Sequence, residues 1–214
     1  MDKKNLADIR REYSLQELSE ASVAADPFVQ FGNWFDEYVS SGPLEPSACV
    51  VSTVGSDGAP SSRVVLLKGF DDRGFVFFTN YESKKGRDLA KDPRVAMHFF
   101  WPELERQIEI SGIAERTSRE ESETYFASRP IDSKLGAWAS KQSSDLESRD
   151  ELTQRFADAR SRFTEGDVPC PEFWGGFRVV PTQFEFWQGR PNRLHDRIRY
   201  DQAKGVWKIT RLYP

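Results

Sequence analysis

Between residues 26 and 43 the apolar side chains return every three or four positions. In DPFVQFGNWFDEYVSSGP, Phe28, Phe31, Trp34, Phe35 and Tyr38 share one face, Asp26 stands at a cap position, Pro27 suits a first turn, and Gly42-Pro43 close the segment. A helix is expected there. The preceding 25 residues are charged and carry only a weak helical period. Further on the pattern changes to strands. ACVVSTV (48–54) and SSRVVLLKGF (61–70) flank the turn GSDGAP, and DDRG leads into FVFFTN (75–80), which reads as strands joined by tight turns. A short helix, SKKGRDLAKD (83–92), precedes the strand RVAMHFFW (94–101), and RQIEISGIAER (106–116) alternates like a half-buried strand. Ser118 and Glu121 have capping-box spacing for a helix in REESETYFASR. Pro130 reads as a helix stop, and Gln142-Ser143-Ser144 as the cap of a long helical segment reaching residue 163. GGFRVVPTQFEFWQG (175–189) and a hairpin, RIRYDQAKGVWKITRLY (197–213), finish the chain.

About six or seven strands, the early ones without helical crossovers, predict an antiparallel barrel with flanking helices, an α+β fold that is mainly β. There is no internal repeat and no low-complexity linker, so a single domain over 26–214 is expected behind the charged N-terminal segment, 1–25.

Composition narrows the class. The 214 residues are 38% apolar and 30% charged, enough for a real core, and the sixteen Phe and six Trp can build it or line a pocket for a flat ligand. A net charge of −4 argues against a nucleic-acid partner. Strictly apolar runs stop at four residues (ACVV, VVLL, FVFF), so no membrane-spanning helix is expected, and the opening MDKKNLADIRREYS lacks the apolar stretch of a secretion signal. Cys49 and Cys170 form no CxxC, which suits reduced thiols in a cytoplasmic protein.

Familiar chemical signatures are missing. No GxGxxG follows a strand, no GxxxxGK[ST] and no GxSxG occur, and His98 and His195 lie too far apart for local metal-ligand spacing. What remains is a scatter of cations, hydroxyls and amides at element ends: Arg63 and Lys68 around RVVLLK, Thr79, Lys84-Lys85 at a helix start, Arg129 and Ser133 around Pro130, and Gln142-Ser143. Each has a plain reading as solvated or capping, and phosphate binding becomes credible only where several converge. WQGRPNRLHDRIRY (187–200) is denser, with four arginines, one of the two histidines and a tryptophan. A histidine there can donate or accept near neutrality; the plainer alternative is an edge hairpin laced with Arg–Asp pairs.

The stretch FEFWQGRPNRLHDR resembles the signature of the pyridoxine (pyridoxamine) 5′-phosphate oxidases, with Glu185, Phe186, Trp187 and Arg193 to Arg197 in register. RREY, RVVLLK, FFTN, SKK, ERQ, YFASRP, GAWASKQSS and FWGGFRV resemble family blocks in the same order, nearly along the whole chain. The resemblance implies a homodimeric, FMN-binding split β-barrel whose C-terminal hairpin serves dimerisation and the active site. It implies FMN contacts from Arg63, Lys68, Phe78, Thr79, Lys84, Lys85, Gln107, Gln142, Ser143, Trp187 and Arg197. Substrate contacts would come from Arg10 and Tyr13 of a mobile lid, from Lys68, Tyr125, Arg129 and Ser133 at a phosphate, and from Arg193 and His195 at a pyridine ring; Arg193, His195 and Arg197 would carry the catalysis. Many relatives carry arginine at the first lysine of SKK, which keeps charge but loses bidentate geometry here. The implied reaction is oxidation of pyridoxine 5′-phosphate or pyridoxamine 5′-phosphate to pyridoxal 5′-phosphate. Hydride passes from C4′ to flavin N5 and dioxygen becomes hydrogen peroxide; the amine also yields ammonia. No metal is called for. A flavin- or haem-binding carrier and a nicotinamide-dependent flavin reductase stand as alternatives.

Overall fold

The computed structural model describes residues 11–163 and 167–214. Among the described residues, backbone contacts form two compact units, one within 11–46, 98–110 and 182–214, the other within 47–97 and 111–181. Among the described residues there are five α-helices and nine strands.

The first unit is built on α1 (Pro27–Ser40). The Asp26 carboxylate accepts from the Phe28 N–H at 2.8 Å and Pro27 occupies the first turn, as the sequence suggests. The face of Phe31, Trp34 and Tyr38 is buried. Phe31 meets Phe99 edge-on at 5.2 Å, Trp34 meets Phe186 at 5.3 Å, and Tyr38 stacks on Trp101 at 4.8 Å. Burying each such ring stabilises the unit by about 1.5–3 kcal/mol, before any specific ring–ring term. The second half of β7 (Trp174–Gln188) pairs antiparallel with β8 (Asp196–Ala203), placing Trp187 opposite Arg197, and β8 pairs with β9 (Val206–Leu212).

In the second unit β1 (Ala48–Val54) pairs antiparallel with β2 (Pro60–Leu66). β3 (Gly69–Asp71) pairs with β4 (Gly74–Asn80), and β4 with the first half of β7. With β5 (Arg94–Trp101) and β6 (Arg106–Arg116), the strands follow the hydrogen-bonded order β2-β1-β5-β6-β7-β4-β3. Helix α2 (Lys84–Lys91) starts at Ser83, and α3 (Arg119–Ser128) has the full Ser118/Glu121 capping box. A core of Phe126, Leu135, Ala159, Val168 and Trp174 lies among the helices.

Three expectations change. SSRVVLLKGF is not one strand: it breaks at Leu67-Lys68, where Lys68 N–H reaches the Val76 carbonyl at 2.8 Å, and this helps raise the strand count to nine. Pro130 does not only stop a helix; it is the cap residue of α4 (Ile131–Ala139), a helix the sequence reading omits, because proline costs nothing where the first-turn donors have no intrahelical acceptor. Gln142-Ser143-Ser144 do not begin a helix. Ser143 sits at φ 68° in a turn, and α5 (Arg149–Arg162) begins after Ser148, whose hydroxyl accepts from the Glu151 N–H at 3.2 Å.

Candidate functional site

In the second unit a cavity of about 410 Å³ is lined by residues from six places in the sequence. Lys68 comes from the break after β2, Phe78 and Thr79 from β4, and Lys85 from the first turn of α2. Tyr125 and Arg129 come from the end of α3, Ser133 from α4, and Gln142 from the turn beyond it. Three cations face this space, and among the described lining residues there is no carboxylate.

Two of those cations are held in unusual ways. Lys85 is 8% exposed, and its ammonium donates to Thr79 Oγ1 at 3.0 Å and Gln142 Oε1 at 2.8 Å, with no ion pair to a carboxylate among the described residues. Burial, and then the charge of Arg63, push its pKa down to about 8. Arg129 lies over the Trp174 ring at 4.7 Å, and its Nη1 is buried without a hydrogen-bond partner. A buried guanidinium nitrogen left unpaired is expensive. An anion in the cavity relieves both defects, so the donor set fits a phosphate-bearing ligand. Phe78, stacked on Tyr125 at 4.1 Å, and Trp174 supply flat apolar wall beside it.

Arg63 and Lys84 are placed differently. Lys84 pairs with Asp88 at 2.9 Å, and Arg63 donates to Thr53 Oγ1 at 2.7 Å with Asp88 3.9 Å away. Both are partly neutralised next to the cavity rather than in its wall. Ser143 follows Gln142 in the turn but is not in the lining, and Gln107, half-buried on β6, lines neither cavity described here.

The first unit has its own cavity, about 650 Å³, lined by Arg11, Glu12, Tyr13, Arg190, Asn192, Arg193 and His195. Trp187 lies 4.6 Å from the His195 ring, and Tyr13 stands edge-on to both, at 5.8 and 6.0 Å. Asn192 and Arg193 have φ of 57° and 61° in a short 3-10 turn, Pro191–Arg193. Successive non-glycine residues in the left-handed region are strained, and such strain gathers where side-chain placement matters. His195 Nδ1 accepts from the Arg190 N–H at 3.1 Å. Burial first, and the neighbouring Arg193 charge second, hold its pKa below the ordinary imidazole value, with Asp196 opposing.

Arg197 is outside that lining. Its Nε and Nη2 grip both oxygens of Glu185, at 2.8 and 2.9 Å, and its Nη1 donates to the Tyr213 carbonyl at 3.0 Å. The Glu185 hydrogen bonds raise its pKa. Arg–acid pairs of the edge-hairpin reading also exist: Arg211 with Asp196 at 2.7 Å and Arg199 with Asp201 at 2.8 Å. Arg10 lies outside the described residues. Arg190, Asn192, Glu12 and Trp174 also line the cavities; each sits inside a block that resembles the family, but none is given a role by it, and the turn geometry and the aromatic stack bring them in. Among the described residues no cluster could hold a metal ion, and no helix is long and apolar enough to cross a membrane.

Residues 35–163 match the family described as pyridoxamine 5′-phosphate oxidase, and residues 174–214 match the pyridoxine 5′-phosphate oxidase C-terminal dimerisation region. A pyridoxine/pyridoxamine 5′-phosphate oxidase of Cupriavidus pinatubonensis is 55% identical over 98% of this chain and 99% of its own. Among solved structures, PhzG from Burkholderia lata, in complex with tetrahydrophenazine-1-carboxylic acid, superposes with a TM-score of 0.88 at 31% identity, over 94% of this chain and all of the other. A pyridoxamine 5′-phosphate oxidase-related, FMN-binding protein from Nostoc punctiforme has a TM-score of 0.70 at 14% identity, over 90% of this chain and all of its own; it shares the fold. The fold class expected from the resemblance, a mainly β split barrel with flanking helices, is the one observed.

Proposed function

Because the chain belongs to the pyridoxamine 5′-phosphate oxidase family, we propose that it oxidises pyridoxine 5′-phosphate and pyridoxamine 5′-phosphate to pyridoxal 5′-phosphate, with FMN as cofactor and as a homodimer. The observation that carries this reading is the wall of the 410 Å³ cavity: Lys68, Lys85 and Arg129 without a facing carboxylate, and an Arg129 nitrogen buried with nothing to bond. FMN, when bound, would supply a two-electron acceptor for hydride from substrate C4′, from which dioxygen could take two electrons and two protons to give hydrogen peroxide.

The chain's own residues bind and orient. Lys68, Tyr125, Arg129 and Ser133 clamp the substrate phosphate, and this remote grip fixes where C4′ sits. Lys85, Thr79, Phe78, Gln142 and Ser143 hold the cofactor, with Arg63, Lys84, Gln107 and Trp187 contributing charge or surface. Arg193 and His195 orient the pyridine ring. Arg197 presents its remaining N–H groups while Glu185 fixes its plane, so it acts as a positioned donor more than as a free charge. Hydride given up to bound FMN and a proton given up to solvent would turn the alcohol directly into the aldehyde; the amine would become an imine that water hydrolyses, releasing ammonia.

The test is aerobic turnover by the FMN-loaded protein. Pyridoxal 5′-phosphate and hydrogen peroxide are expected in equal amounts from either vitamer, with ammonia only from the amine. Absence of pyridoxal 5′-phosphate from both substrates would reject the reading.

A further inference from the structure

Glu105 has no part in the chemistry above, yet its carboxylate accepts three hydrogen bonds from residues 11–15 beside the first unit's cavity. It lies in the turn between β5 and β6 and is 2% exposed. Its Oε1 accepts from Arg11 Nη2 at 3.1 Å. Its Oε2 accepts from the backbone N–H groups of Ser14 at 2.8 Å and Leu15 at 3.1 Å. Its carbonyl accepts from the Gly189 N–H at 2.8 Å and from Gln188 Nε2 at 3.3 Å. One residue thus ties the chain on both sides of Tyr13 to the end of β7.

Two further observations show that the tie is built for placement. Glu105 has φ 54°, a left-handed conformation that glycine or asparagine takes more easily, so the turn keeps a carboxylate against local preference. At Gly189 an added Cβ would lie 2.7 Å from both Cβ and Cγ of Tyr13, and 3.1 Å from Cβ of Glu105. Tyr13 therefore rests directly on bare backbone. Next in sequence, buried Arg106 bonds Gln16, Glu37 at 2.6 Å and Gln188 at 2.9 Å, which continues the same attachment. The product of these contacts is a tyrosine ring held edge-on to Trp187 and His195 at the cavity wall.

We propose that Glu105 is a positioning residue for the substrate cavity, which fastens residues 11–15 so that Tyr13 is set against Trp187 and His195 before substrate arrives. A ring already in place spares the substrate the entropy of ordering it, so the effect falls on binding more than on the chemical step. The kinetic form of this inference rests on the oxidase reading; the anchoring itself does not.

Glu105→Gln keeps the shape but turns one acceptor into a donor, which either opposes the Ser14 and Leu15 N–H groups or abandons Arg11. In the FMN-loaded enzyme KM for pyridoxamine 5′-phosphate is expected to rise roughly 10-fold with kcat within about 2-fold, as for the loss of charge-assisted bonds that act on binding alone. FMN affinity, read by flavin fluorescence, stays unchanged, and tryptic cleavage after Arg11 accelerates. In a Tyr13→Ala background the same substitution adds no further rise in KM, because its effect passes through Tyr13. Gly189→Ala, whose methyl would collide with Tyr13 at 2.7 Å and press more lightly on the Cβ of Glu105 at 3.1 Å, keeps the carboxylate itself, reproduces the KM signature and supplies the test should Glu105→Gln fail to fold. A KM unchanged in Glu105→Gln, or in Gly189→Ala where only that variant folds, overturns the proposal, as does a rise in Glu105→Gln that is undiminished without Tyr13. If the wild-type protein oxidises neither vitamer, the oxidase reading fails instead, and the tryptic comparison alone decides whether Glu105 anchors the segment.

Discussion

The backbone N–H of Arg190 donates to Nδ1 of His195 across 3.1 Å, and that bond decides which ring nitrogen carries the proton. An imidazole that accepts at Nδ1 is neutral and keeps its hydrogen on Nε2. His195 is therefore set up to donate to a ligand in the cavity it lines, and a role as proton acceptor through Nδ1 is closed to it.

The pH dependence follows from the same bond. Burial and then Arg193 lower the His195 pKa below 6.5. Protonation would cancel the Arg190 bond and place a second cation beside Arg193. Substrate affinity should be constant through neutrality and decline on the acid side, with a midpoint below that of free imidazole. The stability linkage has the same sign: the contribution is full above the unfolded value and is lost as pH falls through the lower native one. Nitrogen-15 NMR of a His98→Gln variant, which leaves one histidine, should show the Nε2–H tautomer; the Nδ1–H tautomer would refute the assignment.

Arg129 is expected to trade binding against stability. Its buried Nη1 has no hydrogen-bond partner among the described residues. Arg129→Met should raise KM for pyridoxamine 5′-phosphate by about 10- to 100-fold while kcat changes little, since a hydrogen bond to a charged group contributes about 1.5–3 kcal/mol and a phosphate clamp grips ground and transition states alike. The ligand-free variant should melt no lower than wild type, because a desolvated cation has been removed. Steady-state kinetics and a thermal scan check the two halves separately.

How much of this was legible in the sequence depended on the range of the interaction. α1, β1, β5, β6 and the Ser118 capping box are fixed by local periodicity and capping, and the sequence reading finds them within a residue or two. α4 was hidden because Pro130 is equally good as a stop and as a start. Gln142 reads as a cap but serves as the acceptor for Lys85, 57 positions away. Nothing local distinguishes Lys84, which is neutralised by Asp88, from Lys85, which is buried without an acid. The family resemblance selected both lysines, and tertiary contacts separate their surroundings. Glu105 stood inside the block ERQ, but only the fold reveals that its partners are Arg11, Ser14 and Leu15.

Lys85 should report anion binding through protons. With its pKa at about 8 in the ligand-free protein, it is largely neutral by pH 9. A phosphate bound beside it favours the charged form, so binding at pH 9 takes up a proton, approaching about one per anion, and affinity falls as pH rises. Calorimetric titration with FMN, in buffers of different ionisation enthalpy, measures the uptake, and Lys85→Met should abolish it. Equal enthalpies in all buffers would place Lys85 away from the anion. In the protein alone, the same depressed pKa makes Lys85's contribution to stability grow as pH rises from about 8 toward 10.5.

The most direct test of vitamer oxidation is an absorbance spectrum of the FMN-loaded protein, taken without oxygen, before and after pyridoxine 5′-phosphate and then pyridoxamine 5′-phosphate are added. The flavin band should bleach with vitamer and return when air is admitted, which separates the two half-reactions in one cuvette. A protein that takes up no FMN, or one whose band ignores both vitamers and bleaches with NADPH, would contradict the proposed function.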